Sequence, residues 1–177
     1  MFSGKTEELL RRLKRARFAR QNVQCFKPRI DARYDASAIV SHDRQRSDAV
    51  ALASSEGILR ELLESTQVVG IDEAQFFDVG VVSVAETLAN RGVRVILAGL
   101  DQDYLGRPFA PIPELMAIAE SVTKLHAVCV VCGETASRSQ RIVTEAEQVL
   151  VGGEDSYEPR CRACFEPRPV IATRLRP

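Results

Sequence analysis

Three groups of residues in this chain have the types and spacing to do chemistry. The first stands at its start, where Phe2-Ser3-Gly4-Lys5-Thr6 leads into a run from Glu7 to Arg20 with helical periodicity. In the pattern G-x-x-x-x-G-K-[ST], backbone N–H groups and a helix N-terminus cradle nucleotide phosphates, the lysine reaches the β and γ oxygens, and the hydroxyl holds Mg²⁺. Gly4, Lys5 and Thr6 fill three of the four set positions, and the remaining glycine would fall two residues before Met1. Taken alone, the fragment is equally compatible with an ordinary helix start, Ser3 or Thr6 acting as N-cap and Glu7 and Glu8 lying in the first turn.

The second group is Asp72-Glu73, which closes the apolar run Gln67-Val68-Val69-Gly70-Ile71. A lone acidic pair at a strand end is commonly just solvated charge. After a Gly-Lys-Thr helix, however, a strand-end carboxylate occupies the position that holds Mg²⁺ together with the loop hydroxyl. The adjacent carboxylates permit a division of labour, Asp72 toward metal and Glu73 toward a proton on the acceptor substrate.

The third group is Cys129-x-x-Cys132 and Cys161-x-x-Cys164, with 28 residues between the pairs. Each pair can offer two thiolates to one ion, and together they can close a tetrahedral Cys₄ zinc site. With every position filled by protein, such a site is structural. A redox role for either C-x-x-C is the alternative, and two pairs bracketing a short β segment favour the zinc ribbon. Cys25 stands apart in an apolar run and belongs to the core.

The elements that must position these groups follow from periodicity. Leu9, Leu10, Leu13 and Ala16 recur at three-to-four spacing among arginines and lysines, which predicts an amphipathic helix with a basic, solvated outer face. Asn22–Phe26 reads as a strand ended by Lys27-Pro28, residues 31–46 as a long polar loop, Val50–Ala53 as a weak strand and Glu56–Ser65 as a helix. Gln67–Ile71 and Arg94–Leu100 read as buried strands flanking a helix over Val81–Asn90 that Gly92 closes. Strand, helix, strand in this rhythm implies a parallel sheet, with ligands at the carboxyl ends of its strands. A short helix is expected over Glu114–Glu120, a last main-sheet strand over Val122–Val128, and short β segments at Ala136–Val143 and Gln148–Val151. The resulting division is a nucleotide-binding α/β domain over residues 1–128, a zinc-ribbon lobe over 129–166 and a flexible tail over 167–177.

Composition narrows the classes. The 177 residues suit one medium domain or one with a small appendage, and 45% hydrophobic content supports a core. Lys+Arg and Asp+Glu are equal at 24, which is not the charge balance of a general nucleic-acid binder. No run approaches the ~18 apolar residues of a membrane span and no signal peptide precedes the first helix, so a cytoplasmic protein without nucleic-acid or membrane partners is expected, whose five cysteines do not read as a disulfide framework.

In order along the chain, Met1 to Leu9, Asp31-Ala32-Arg33-Tyr34, His42-Asp43-Arg44, Ile71 to Phe77, Leu100-Asp101, Arg107-Pro108-Phe109, both C-x-x-C pairs and Val151-Gly152-Gly153 with Tyr157 form one set. This set resembles the thymidine kinase family of the zinc-containing, cellular type. The resemblance implies a RecA-like P-loop parallel sheet with a small zinc-ribbon β lobe at the C-terminal end. It also implies transfer of the ATP γ-phosphoryl group to the 5′-hydroxyl of thymidine, with ATP, Mg²⁺ and structural Zn²⁺ as cofactors, in a homotetramer. Met1, Phe2, Ser3, Gly4, Lys5, Thr6, Asp31, Arg33, Asp72 and Gln75 would then serve ATP and Mg²⁺, with Glu73 as base. Phe76, Tyr104 and Phe109 would wall the thymine ring. Gln148, Val149, Leu150, Val151 and Gly152, with Tyr157, match a lasso loop that reads the base edge; Met1 and Ser139 match the 5-methyl pocket, Ser139 standing where threonine is expected.

The competing expectations are a P-loop kinase for another nucleoside and a zinc-ribbon nucleic-acid-binding protein. Without the strand and the glycine that normally precede such a loop, weak ATP binding or poor solubility is expected, with about ten upstream residues restoring both.

Overall fold

The structure, a computed structural model, describes residues 2–29, 38–40, 46–143 and 156–167. Met1, Asp31, Arg33, His42-Asp43-Arg44, the segment from Gln148 to Gly152 and the tail after Pro167 lie outside the described residues. The chain forms two compact units: a larger one of Gly4–Asp101 with Pro108–Lys124, and a smaller one of Met1–Ser3, Gln102–Arg107 and Leu125–Pro177.

The larger unit begins with helix α1 (Lys5–Phe18), which follows Gly4 at φ 73° and uses no side-chain cap. Strand β1 (Val23–Pro28) comes next, then two short strands, β2 (Ala38–Val40) and β3 (Arg46–Asp48), then β4 (Val50–Leu52). Helix α2 (Glu56–Arg60), strand β5 (Val68–Ile71), a 3₁₀ turn at Ala74–Phe76, helix α3 (Val81–Asn90), strand β6 (Arg94–Leu97) and helix α4 (Ile112–Ile118) complete it. The main sheet has the order β4-β1-β5-β6, all parallel, with Cys25 opposite Gly70 and Gly70 opposite Ile96.

Strand alternation divides the apolar residues between the two faces of this sheet. Cys25, Val68 and Ile96 pack with Leu9, Leu10, Leu13 and Ala16 of α1. Phe26, Val69 and Ile71 pack with Ile58, Val81, Val84, Leu88, Ile112 and Leu115 from α2, α3 and α4. Helices on both faces make the parallel sheet a buried middle layer, which is why its strands read as unbroken apolar runs. Cys25 is a core residue, as its surroundings in the sequence suggest.

Several expected elements differ. β1 runs through Lys27 to Pro28, which lies opposite Leu52; the missing proline N–H is tolerated at the last position of a strand. The expected loop of residues 31–46 contains the antiparallel β2–β3 ladder. The helix expected to Ser65 stops at Arg60. The Gln24 side chain of β1 accepts from the Leu63 N–H at 2.9 Å and donates to the Glu61 carbonyl at 3.0 Å, drawing those backbone groups out of a further turn.

Val122–Val128 is not a main-sheet strand. Lys124 points to Asp101 at 3.0 Å, Val122 and Val128 are exposed, and only the last two residues become a strand, β7 (Ala127–Val128), in the smaller unit. There β7 pairs with β8 (Thr135–Ala136), and β9 (Arg138–Arg141) pairs antiparallel with β10 (Tyr157–Arg160). Strands this short cannot close a core of their own, and the only buried cluster of this unit, among the described residues, centres on Cys129, Ala136 and Cys161.

Candidate active site and metal centre

Helix α1 carries Lys5 and Thr6 in its first turn, and β5 delivers Asp72 from its carboxyl end. Their meeting is direct: the Thr6 hydroxyl donates to Asp72 Oδ2 at 3.2 Å across 66 residues of sequence. Two oxygens that share one octahedral Mg²⁺ at about 2.1 Å would stand about 3.0 Å apart, so the pair has the spacing of adjacent ligands. Phe2 and Gly4 both have positive φ, 59° and 73°.

Asp72 is buried, and its surroundings oppose ionisation. Burial first, then the neighbouring Glu73 carboxylate, push it up to about 7, against the pull of a backbone N–H, Lys5 and Thr6. A carboxylate held under this penalty gains from any cation that arrives beside it.

Glu73 adopts φ 48°, a left-handed conformation that costs a non-glycine residue energy and turns its side chain out of the strand direction. Its N–H donates to Asp72 Oδ1 at 3.0 Å, and its Oε2 accepts from Gln75 Nε2 at 2.5 Å. Gln75 in turn accepts the Leu100 N–H at 3.0 Å. Gln75, expected among the nucleotide-binding residues, is therefore a buried bridge between Glu73 and the chain leaving β6. Gly99 makes the bridge possible, since a Cβ there would lie 3.0 Å from Gln75 Oε1 and 2.5 Å from Ile112 Cδ1.

Of the expected aromatic walls, Phe76 and Phe109 meet edge to face, with centroids 6.1 Å apart and planes at 84°. Tyr104 belongs to the smaller unit, on a loop closed by Asp103, whose Oδ1 accepts from the N–H groups of Leu105 and Arg107, both at 2.9 Å. Ser139 is half-buried on β9, opposite Pro159, and Tyr157 is buried on β10 opposite Arg141. Asp103 and Arg141 are structural participants that the motifs did not expose. For Asp103 the signal was present, an Asp three residues before a glycine in a turn-forming stretch.

The four cysteine sulfurs of the smaller unit all lie within 4.8 Å of one another, and Cys132 Sγ is 3.6 Å from Cys161 Sγ. Thiolates around one zinc at about 2.3 Å stand about 3.8 Å apart, so the cluster fits a tetrahedral ion; a disulfide would bring two sulfurs to about 2 Å. At Cys129 burial opposes ionisation, but backbone N–H groups of Cys161, Cys132 and Val131 outweigh it and bring the thiol down to about 6. Cys161 is lowered chiefly by the Cys164 N–H, while Cys164 is pushed up to about 12 by the sulfurs of Cys161 and Cys132. Four thiols crowded so that they cannot all ionise by themselves could hold one metal ion by chemistry as well as by geometry.

Comparison with known proteins bears on the whole arrangement. A family model described as thymidine kinase matches residues 1–165. The chain belongs to the thymidine kinase family. It is similar to a thymidine kinase of Rhodothermus sp. (strain ITI 518), 56% identical over 177 residues, covering 99% of this chain and 83% of the relative. It is also similar to thymidine kinases of Bdellovibrio bacteriovorus, 58% identical over 167 residues with 94% and 82% covered, and of Porphyromonas gingivalis (strain ATCC 33277), 58% over 167 with 93% and 80%.

Proposed function

We propose that this chain is an ATP-dependent thymidine kinase, transferring the γ-phosphoryl group of ATP to the 5′-hydroxyl of thymidine to give dTMP and ADP. The observation that carries it is the Thr6–Asp72 contact of 3.2 Å, the joining of loop hydroxyl and strand-end carboxylate that phosphoryl transfer needs, in a chain 56% identical to a thymidine kinase. Mg²⁺, when bound, would neutralise charge on the transferring group, and Thr6 and Asp72 are the residues that would hold it. Phe2 to Lys5 present N–H groups and an ammonium to the phosphates, and Lys5 follows the γ-phosphoryl as its charge shifts. Glu73 accepts the 5′-hydroxyl proton, and Gln75 keeps its carboxylate oriented for that step.

For the substrate, Phe76, Phe109 and Tyr104 offer aromatic surfaces to the neutral, planar thymine ring. Ser139 and Tyr157, together with Gln148 to Gly152, take the roles that the family resemblance implies at the methyl group and the base edge. Asp31 and Arg33 act at the phosphates and Met1 at the methyl pocket on the same ground. The Cys₄ site holds one structural Zn²⁺. We further place the enzyme in the cytoplasm, where four clustered thiols stay reduced and metal-bound, as a homotetramer. Residues 1–128 act as the nucleotide-binding domain and residues 129–166 as the lasso-bearing lobe.

The deciding experiment is thymidine-dependent ADP release by the purified chain, with thermal shifts measured across a panel of nucleosides. Thymidine and its close analogues should stabilise the protein and support turnover. Stabilisation by another nucleoside, with thymidine inert, would place the chain's activity elsewhere. Light scattering should give a mass of four chains.

A further inference from the structure

Arg141 is among the most deeply placed charged residues of the smaller unit, at 7% exposure, and it is bound to aromatic rings. Its guanidinium carbon lies 3.7 Å from the centroid of the Tyr104 ring and 5.3 Å from that of Tyr157. Its Nη2 donates to the Tyr157 hydroxyl at 2.7 Å. Arg141 and Tyr157 are direct cross-strand neighbours on β9 and β10, and Ser139, two residues earlier on β9, shares the strand face of Arg141.

The Tyr104 loop is joined to β9 at one further point and to the segment after Cys164 at another. Arg138 hydrogen-bonds Gln102 Oε1, and Gly106, at φ 75°, lets the Phe165 ring approach so closely that a Cβ would lie 3.1 Å from it. Of these three contacts, it is the one made by Arg141 that touches the ring of Tyr104 itself.

We propose that Arg141 is a positioning and specificity-determining residue for thymidine. It covers one face of Tyr104, so that a planar ligand has only the opposite face, and it sets the tilt of that face through its bond to Tyr157. The inference rests on the reading of Tyr104 as a wall of the base site. A planar, delocalised guanidinium can lie flat on a ring and still keep a forked donor for a second group; an ammonium of similar charge has neither property. Arg141 therefore acts through Tyr104 and not on the reacting atoms, and its loss should be felt in nucleoside binding while phosphoryl transfer is nearly unaltered.

Steady-state kinetics on the full chain, with zinc content and melting temperature recorded for every variant, tests this. Arg141→Lys should raise KM for thymidine about tenfold while KM for ATP stays within about twofold and kcat within about threefold. Tyr157→Phe, which removes one hydroxyl and little else, should raise KM for thymidine about threefold in the wild-type background and scarcely at all in the Arg141→Lys background, because both act through one contact. It keeps the test open if Arg141→Lys folds poorly. Tyr104→Ala separates the two levels of the argument. If it leaves KM for thymidine unchanged, the base-wall reading falls and takes this inference with it. If Tyr104→Ala weakens thymidine while Arg141→Lys and Tyr157→Phe do not, or shift thymidine and ATP equally, Arg141 is a structural residue only.

Discussion

Gln75 holds the Glu73 carboxylate at 2.5 Å with one end of its amide and the Leu100 N–H at 3.0 Å with the other. A flexible acid is thereby tied to the end of the neighbouring strand. If Glu73 is the base, Glu73→Gln should lower kcat by about 10³-fold while ATP and thymidine still bind. Gln75→Leu, which leaves the carboxylate in place and unoriented, should lower kcat by about tenfold to a hundredfold. Near-normal kcat in Glu73→Gln would remove Glu73 from the role.

Asp72 gives the free protein a pH signature. Its folded-state value, raised to about 7 by burial and Glu73, lies above that of the unfolded chain, so the folded state holds the extra proton between about pH 4 and 7. Stability from this group is present at low pH and lost as pH rises through 7. In the absence of nucleotide and divalent cation, the melting temperature should fall between about pH 4 and 7 and level off above that. Asp72→Asn should flatten that fall and raise stability at pH 8 by on the order of 3 kcal/mol, while abolishing Mg²⁺-dependent turnover. A variant that melts lower than wild type at pH 8 would contradict the burial argument.

Zinc should be measurable as about one ion per chain, and its retention should depend on pH, because protons compete for the same sulfurs. With Cys164 raised to about 12 and Cys129 lowered to about 6, the four thiols are not all ionised at neutral pH without metal. Acidification to about pH 4 or a strong chelator should therefore release the ion and melt strands β7 to β10, read by metal analysis and circular dichroism. Cys161→Ser should bring on the same loss at higher pH. A folded protein that carries no metal and ignores chelator would refute the assignment.

Close packing sets the position of helix α1. A Cβ on Gly70 of β5 would stand 2.7 Å from Leu13 Cδ1 and 3.0 Å from Leu13 Cδ2, so Gly70→Ala should push α1 outward and cost about 1–3 kcal/mol. Adding Leu13→Ala should cost less than the sum of the two single changes, since the new methyl occupies part of the vacated space. Denaturant unfolding of the four proteins gives the comparison; strict additivity would show that the two sites do not share this space.

The candidate chemistry-bearing residues are legible in the sequence as motifs, because such signals are local or spaced by simple rules. Gly4-Lys5-Thr6, the acid pair ending β5 and the two C-x-x-C pairs each announce a ligand type through neighbouring residues, and the helix over Val81–Asn90 and the strands near Val68 and Arg94 follow from periodicity alone. Partnership across the chain was decided by tertiary structure. Val122 to Val128 is apolar enough for a strand, yet Lys124 is drawn to Asp101 and no main-sheet edge receives it among the described residues. The helix after Ser55 has the right stripe to run about one more turn, and a glutamine from β1 claims those backbone groups instead. Arg141 looks in sequence like one more surface arginine. Only the pairing of β9 with β10, which sets it opposite Tyr157, and the turn made by Asp103, which brings Tyr104 beneath its guanidinium, give that charge its place, because contacts between residues tens of positions apart have no period to betray them.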